Sequence, residues 1–261
     1  MIRDLERMRL LVQRIKGALM MLPLVIAFFC GDVVFTMMAL AMGCLAFLEL
    51  KGAFAKKGIN ISVFAAGMLI AALILKAFGF FAFLNFAVLA VIVSFVLATL
   101  LVLQKQSPID VAASILSLLY AFVPFWILAD LYSKNVYLSI LIFVISFSTD
   151  IFAYLSGKFL GKHKLIPKVS PNKTIEGSVG GTLCCVGICA LYLWIVKLPI
   201  LPMLPICLFG SLVSQLGDLF ASSIKRHCGI KDFGKLIPGH GGILDRFDSV
   251  IFVSLFVSVF V

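Results

Sequence analysis

Residues 136–156 read Val136-Tyr-Leu-Ser-Ile-Leu-Ile-Phe-Val-Ile-Ser-Phe-Ser-Thr-Asp-Ile-Phe-Ala-Tyr-Leu-Ser156, an apolar run with one charge, Asp150. A helix rises about 1.5 Å per residue, so a run of this length matches a hydrocarbon core about 30 Å thick and reads as a membrane span. Comparable runs lie near 17–31, 33–50, 61–78, 83–103, 110–130, 176–196, 203–222 and 244–261. Together they predict an all-α, polytopic bundle of about nine transmembrane helices. Of 261 residues, 62% are hydrophobic and 13% are charged, about half the charged share of a soluble domain. Water cannot solvate such a surface. Soluble enzymes, disordered tails and secreted disulfide scaffolds are thereby excluded.

The net charge of +10 then bears on topology. With a cytoplasmic N-terminus, the inner segments are 1–16, 51–60, 104–109, 157–175 and 223–243. Only Lys76, Lys134 and Lys197 then lie outside; the other 19 of the 22 Lys and Arg lie inside, counting Arg246 at the mouth of the last span. This asymmetry predicts N-terminus in and C-terminus out, and no nucleic-acid partner is needed to explain the charge. Residues 1–16, with Arg3, Arg7, Arg9, Arg14 and Lys16, read as a basic amphipathic helix on the membrane surface, with no small-residue cleavage site after them. The seven cysteines fall mostly within spans, form no CxxC pair and read as packing residues. No repeat or linker divides the chain, so one membrane domain over 1–261 is expected.

Polar residues concentrate in two long inner loops, 157–175 and 223–243, which places the chemistry on the cytoplasmic side. On the helix before the second loop, Ser211, Ser214, Gln215, Asp218, Ser222 and Lys225 recur at three- and four-residue steps and share one face. Asp218 falls about 10 Å along the axis from Lys225, just below the interface, where a carboxylate needs a partner. Asp245 and Asp248 open the last span directly after Pro238-Gly239-His240-Gly241-Gly242. A glycine turn running into a helix N-terminus suits phosphate, and carboxylates on that turn suit a hard cation such as Mg²⁺, with Asp218 able to complete the site. Lys225, Arg226, Lys231 and Lys235 add the positive charge that a polyphosphate requires. Helix capping and a structural ion pair remain the alternative roles for these aspartates.

Weaker candidates surround them. Asp150 shares a helix face with Ser146, Tyr154 and Gly157, with structural and functional roles equally open. Ser170, Asn172, Lys173 and Thr174 precede Glu176 and Gly177, and Lys173 is within reach of a phosphate. Gly177 and Gly181 suit close helix packing. His240 is a base or a turn residue, and His163 and His227 read as surface residues. Glu49, Asp110 and Asp130 sit at span ends and need no special role.

The stretch from Ser222 to Asp248 resembles the signature of the phosphatidate cytidylyltransferases, also called CDP-diacylglycerol synthases. Ser222, Lys225-Arg226, Lys231-Asp232, Gly234, Pro238, His240-Gly241-Gly242, Asp245-Arg246 and Asp248 carry the likeness. A second stretch, Ser170-Pro-Asn-Lys-Thr-Ile-Glu-Gly177, resembles the family's SPKKTxEG block, with Asn172 in place of a lysine. The resemblance implies an integral enzyme of the cell (inner) membrane, its active site facing the cytoplasm. It would convert CTP and phosphatidic acid of the inner leaflet into CDP-diacylglycerol and pyrophosphate. It further implies that Asp218 and Asp245 hold the catalytic Mg²⁺, with a second cation left open.

On this reading Asp248 supports the metal, while Lys225, Arg226 and the His240-Gly241-Gly242 turn neutralise the triphosphate. Lys173, Ser222, Lys231 and Arg246 complete the substrate-binding set. A second copy of the chain, as a homodimer, is a candidate partner. Two rival functions remain: a CTP-dependent kinase of a polyprenol or phytol, and a secondary transporter of an anionic solute. The absence of a visible repeat and the clustering of charge at one interface disfavour the transporter.

Overall fold

A computed structural model describes residues 26–63, 98–101, 106–239 and 241–260, together with 67, 71 and 103. The expected surface helix at 1–16, most of the spans at 17–31, 61–78 and 83–103, and His240 lie outside the described residues.

Among the described residues, five helices are long and apolar enough to cross a membrane. They are α1 (Asp32–Ala55), a continuous helix from Pro108 to Lys134, α4 (Val136–Leu160), α5 (Ile175–Ile195) and α6 (Ile200–Cys228). The continuous helix comprises α2 (Pro108–Ser117), a π-helical turn (Leu118–Phe122) and α3 (Val123–Lys134). A shorter α7 (Leu244–Val257) and a 3₁₀ turn (Ser258–Phe260) occupy the position of the expected last span. The architecture is that of a polytopic helical bundle.

Local chemistry sets the helix ends. Ser107 and Asp110 form a capping box at α2, with Pro108 in its first turn. Asp110, read as needing no special role, thus caps a helix, and its other oxygen accepts the Asn60 N–H at 2.6 Å. At the end of α6, Gly229 adopts φ 67°, and the Ile230 N–H reaches back to the Lys225 carbonyl at 2.9 Å. This left-handed stop keeps Lys225 and Arg226 on the final helical turn.

Two expectations need correction. Residues 157–160 and 223–228, read as loop, are helical; their lysines and serines are compatible with a helix that continues past the apolar run. The all-α expectation also misses an antiparallel hairpin, β1 (Lys164–Ile166) and β2 (Ser170–Thr174), with Lys164 opposite Thr174 and Ile166 opposite Ser170. Neither strand has the alternating apolar pattern that identifies a half-buried strand.

The fold sorts into two compact units. The first contains α1, α2, the π turn and the segment 233–243. In it Gly43 of α1 lies against Phe122 and Phe125, where an added Cβ would stand 3.0 Å from the Phe122 ring. The second contains α4, the hairpin, α5, α6 and α7. Its tightest seam is α4 on α5: a Cβ on Gly177 would lie 2.7 Å from the Ala153 carbonyl oxygen, and one on Gly181 2.8 Å from the Ala153 methyl. These glycines serve close packing, as expected. A buried polar ladder crosses the same unit. Thr149 donates to Ser211 at 2.9 Å, Ser211 to Thr182 at 3.2 Å, and Gln215 to Thr182 at 2.9 Å, joining α4, α5 and α6. No disulfide forms among the described residues, and Cys185, Cys189, Cys207 and Cys228 are buried.

Candidate active site

The second unit encloses a cavity of about 520 Å³, within the range of small-molecule sites. Every element of that unit from α4 to α7 contributes to it. Asp150, Tyr154, Gly157 and Lys158 come from α4, Leu165 from β1, and Asn172, Lys173 and Thr174 from β2. Gly177 and Ser178 come from α5, Gln215, Asp218 and Lys225 from α6, and Asp245 and Asp248 from α7. Four aspartates and three lysines thus face one space.

Two of the aspartates are paired. Lys173 Nζ lies 2.5 Å from Asp218 Oδ2, and Lys225 Nζ lies 2.9 Å from Asp245 Oδ1. Asp218 thus has an ionic partner, and that partner comes from the first loop. The Asp245 side chain is only 2% exposed, so its charge depends strongly on Lys225. Asp245 also sits in the first turn of α7, where the helix dipole favours an anion. Asp248 Oδ1 accepts the Ser249 N–H, while the Ser249 hydroxyl donates to Asp150 Oδ2, both at 2.9 Å. Helices α6 and α7 pack closely here: a Cβ on Gly217 would stand 2.6 Å from the Asp248 carbonyl oxygen.

The hairpin carrying Lys173 is held at both ends. Thr174 caps α5 by accepting the Gly177 N–H at 3.1 Å. Glu176 reaches back to the Lys162 N–H at 3.0 Å and to His163 Nδ1 at 2.6 Å. The Arg226 Nε donates to the Val169 carbonyl in the hairpin turn at 3.4 Å.

Other residues expected at the site lie elsewhere. Arg226, Lys231 and Arg246 are exposed and are not part of the cavity wall. Ser222 also lies off the wall and donates to Asp218 Oδ1 at 3.4 Å. Gly241 and Gly242 belong to the first unit. There the Gly241 N–H donates to Ile237 at 3.1 Å, the Ile237 N–H returns to Gly241 at 2.8 Å, and Gly241 takes φ 88°. The Gly241 amide expected to meet phosphate is thus engaged within its own loop.

Glu49 of α1, read as needing no role, organises that loop. Its Oε1 accepts the Ile243 N–H at 2.9 Å, and its carboxylate fills the space that a side chain on Gly234 or Gly242 would need. A carboxylate late in an apolar helix is the one sequence signal that could have marked it.

The profile of the cytidylyltransferase family matches residues 12–261. The chain belongs to this family. Over 164 residues it is 44% identical to a phosphatidate cytidylyltransferase of Staphylococcus aureus, covering 61% of this chain and 63% of that protein. Phosphatidate cytidylyltransferases of Staphylococcus saprophyticus and Staphylococcus haemolyticus are each 42% identical over 164 residues, with the same coverage. The matched part is therefore 63% of the length of these relatives.

For a cytidylyltransferase, a divalent cation is the implied cofactor, and the donor chemistry fits one. The cavity offers four carboxylates and no histidine or cysteine, the hard oxygen set that Mg²⁺ selects. Among the described residues, no three His, Cys, Asp or Glu side chains form a closed metal cluster. Mg²⁺ does not require one: it is commonly held by one or two carboxylates, with water and substrate phosphates completing the shell. Asp218 and Asp245 suit that arrangement.

Proposed function

We propose that the chain is a phosphatidate cytidylyltransferase acting in this cavity on CTP and phosphatidic acid. The observation that carries the reading is Asp218 and Asp245, each on its own lysine, lining one cavity in a cytidylyltransferase-family chain. The names of the staphylococcal relatives support the lipid substrate. The basic asymmetry of the sequence supports an N-terminus in the cytoplasm and a cytoplasmic opening of the cavity.

Two anions must be brought together, so the work is positioning and charge neutralisation. Asp218 and Asp245 would hold Mg²⁺, with Asp248 and Asp150 lining the cavity beside them. A bound ion would supply neutralisation of the phosphate charge there. Lys173 and Lys225 then exchange their carboxylate partners for phosphate oxygens. A phosphate oxygen of phosphatidic acid forms a bond to the α-phosphorus of CTP. The α–β bridging P–O bond breaks, and pyrophosphate departs with its electron pair. No protein nucleophile is needed. Arg226, Lys231 and Arg246, outside the wall, contribute a long-range field that attracts the nucleotide. Gly241 and Gly242 shape their loop.

The fate of labelled phosphate tests this. Purified protein with Mg²⁺, phosphatidic acid and CTP should put the α-phosphate label into lipid and the γ-label into pyrophosphate. Transfer of the γ-label to a polyprenol or phytol would instead establish a CTP-dependent lipid kinase.

A further inference from the structure

On α4, Ile151, Tyr154, Leu155, Lys158 and Phe159 follow one another at helical spacing and share one face. That face is open: Tyr154 is 67% and Phe159 75% exposed, and Ile151 and Leu155 are exposed beside them. In a helix of membrane-spanning length, such an apolar face meets acyl chains. Tyr154 and Lys158 also line the cavity. The same stripe therefore joins an open apolar surface to the cavity.

Lys158 differs from the other two cavity lysines. Lys173 and Lys225 are paired with aspartates, whereas Lys158 forms no ion pair among the described residues and lies 5.8 Å from the Phe159 ring centre. It stands in the last turn of α4, and a lysine at the end of a spanning helix extends along apolar surface toward a polar head. A triphosphate needs the deep, paired lysines. A phosphate tethered to two acyl chains needs a cation at the rim with apolar surface beside it.

We propose that Tyr154 and Lys158 form the lateral mouth of the site. Lys158 receives the phosphate monoester of the lipid substrate, while Ile151, Leu155 and Phe159 line the path of its chains. This assignment rests on the proposed reaction and adds the lipid's point of entry.

The test is steady-state turnover of the full chain in mixed micelles, varying dioleoyl phosphatidic acid at saturating CTP and then the reverse. Lys158→Gln should raise KM for phosphatidic acid about tenfold and leave KM for CTP within about twofold, the effect of losing one charge-assisted phosphate contact. Lys158→Arg should restore most of the loss. Phe159→Ser should raise KM for the dioleoyl lipid but not for soluble dihexanoyl phosphatidic acid. An unchanged lipid KM in Lys158→Gln, or an equal rise for CTP, overturns the mouth assignment. A wild-type protein that forms no CDP-diacylglycerol overturns the reaction itself, which separates the two failures.

Discussion

The segment from Ser222 to Asp248 serves two different regions. Its ends supply chemistry: Lys225 on α6 and Asp245 and Asp248 on α7 line the cavity of the second unit. Its middle, 233–243, is folded in the first unit, where the Ile237–Gly241 bridge closes it and Glu49 anchors it. The cavity is a place of paired charges, and the loop is a place where missing side chains matter. Dense runs of polar residues and glycines look alike in a sequence, but here Lys225, Asp245 and Asp248 face the cavity while Gly234 and Gly242 make room for a carboxylate.

The comparison can be broken most forcefully at the ion pair. Lys225→Gln leaves the buried Asp245 charge without its counter-ion, at a cost of about 3–5 kcal/mol. Turnover should fall by at least about a hundredfold, while tryptic cleavage after the exposed Lys235 stays as in the wild type. Gly242→Ala should do the converse. The new methyl displaces the Glu49 carboxylate, costs about 1–3 kcal/mol and speeds cleavage after Lys235. In a Glu49→Ala background that space is vacant, so the same substitution should be nearly silent, as a double-mutant cycle would reveal. Glu49→Gln keeps an acceptor for the Ile243 amide but loses its charge. It should cost about 1 kcal/mol, read as a modest increase in the same cleavage rate. At the small end, Thr174→Ala removes the cap of α5 and should lower stability by about 1 kcal/mol, read as a fall in the melting temperature of the purified protein.

Much of this organisation was legible in the sequence because it rests on periodicity. The spacing of Gln215, Asp218 and Lys225 placed them on one helix face, and all three line the cavity. The need of Asp218 for a partner followed from depth alone, although Lys173 became its partner only through the hairpin. The hairpin itself was not legible: it has no apolar alternation and is held by its own last residue, Thr174, and by Glu176 and Arg226 from outside its strands. Asp150 was left open because one carboxylate in a span carries no label; its position beside Ser249 is a fact of packing. Glu49 was missed for a related reason. It lies 194 positions from the Ile243 amide it accepts, and no local pattern can report that.

The most direct test of the central claim is Mg²⁺-dependent turnover of CTP and phosphatidic acid by purified Asp218→Asn and Asp245→Asn proteins. The account predicts that each inserts and accumulates normally yet forms CDP-diacylglycerol at no more than about a hundredth of the wild-type rate, the scale of loss when a transition-state charge loses its main stabiliser. Near-normal turnover in either protein would contradict it.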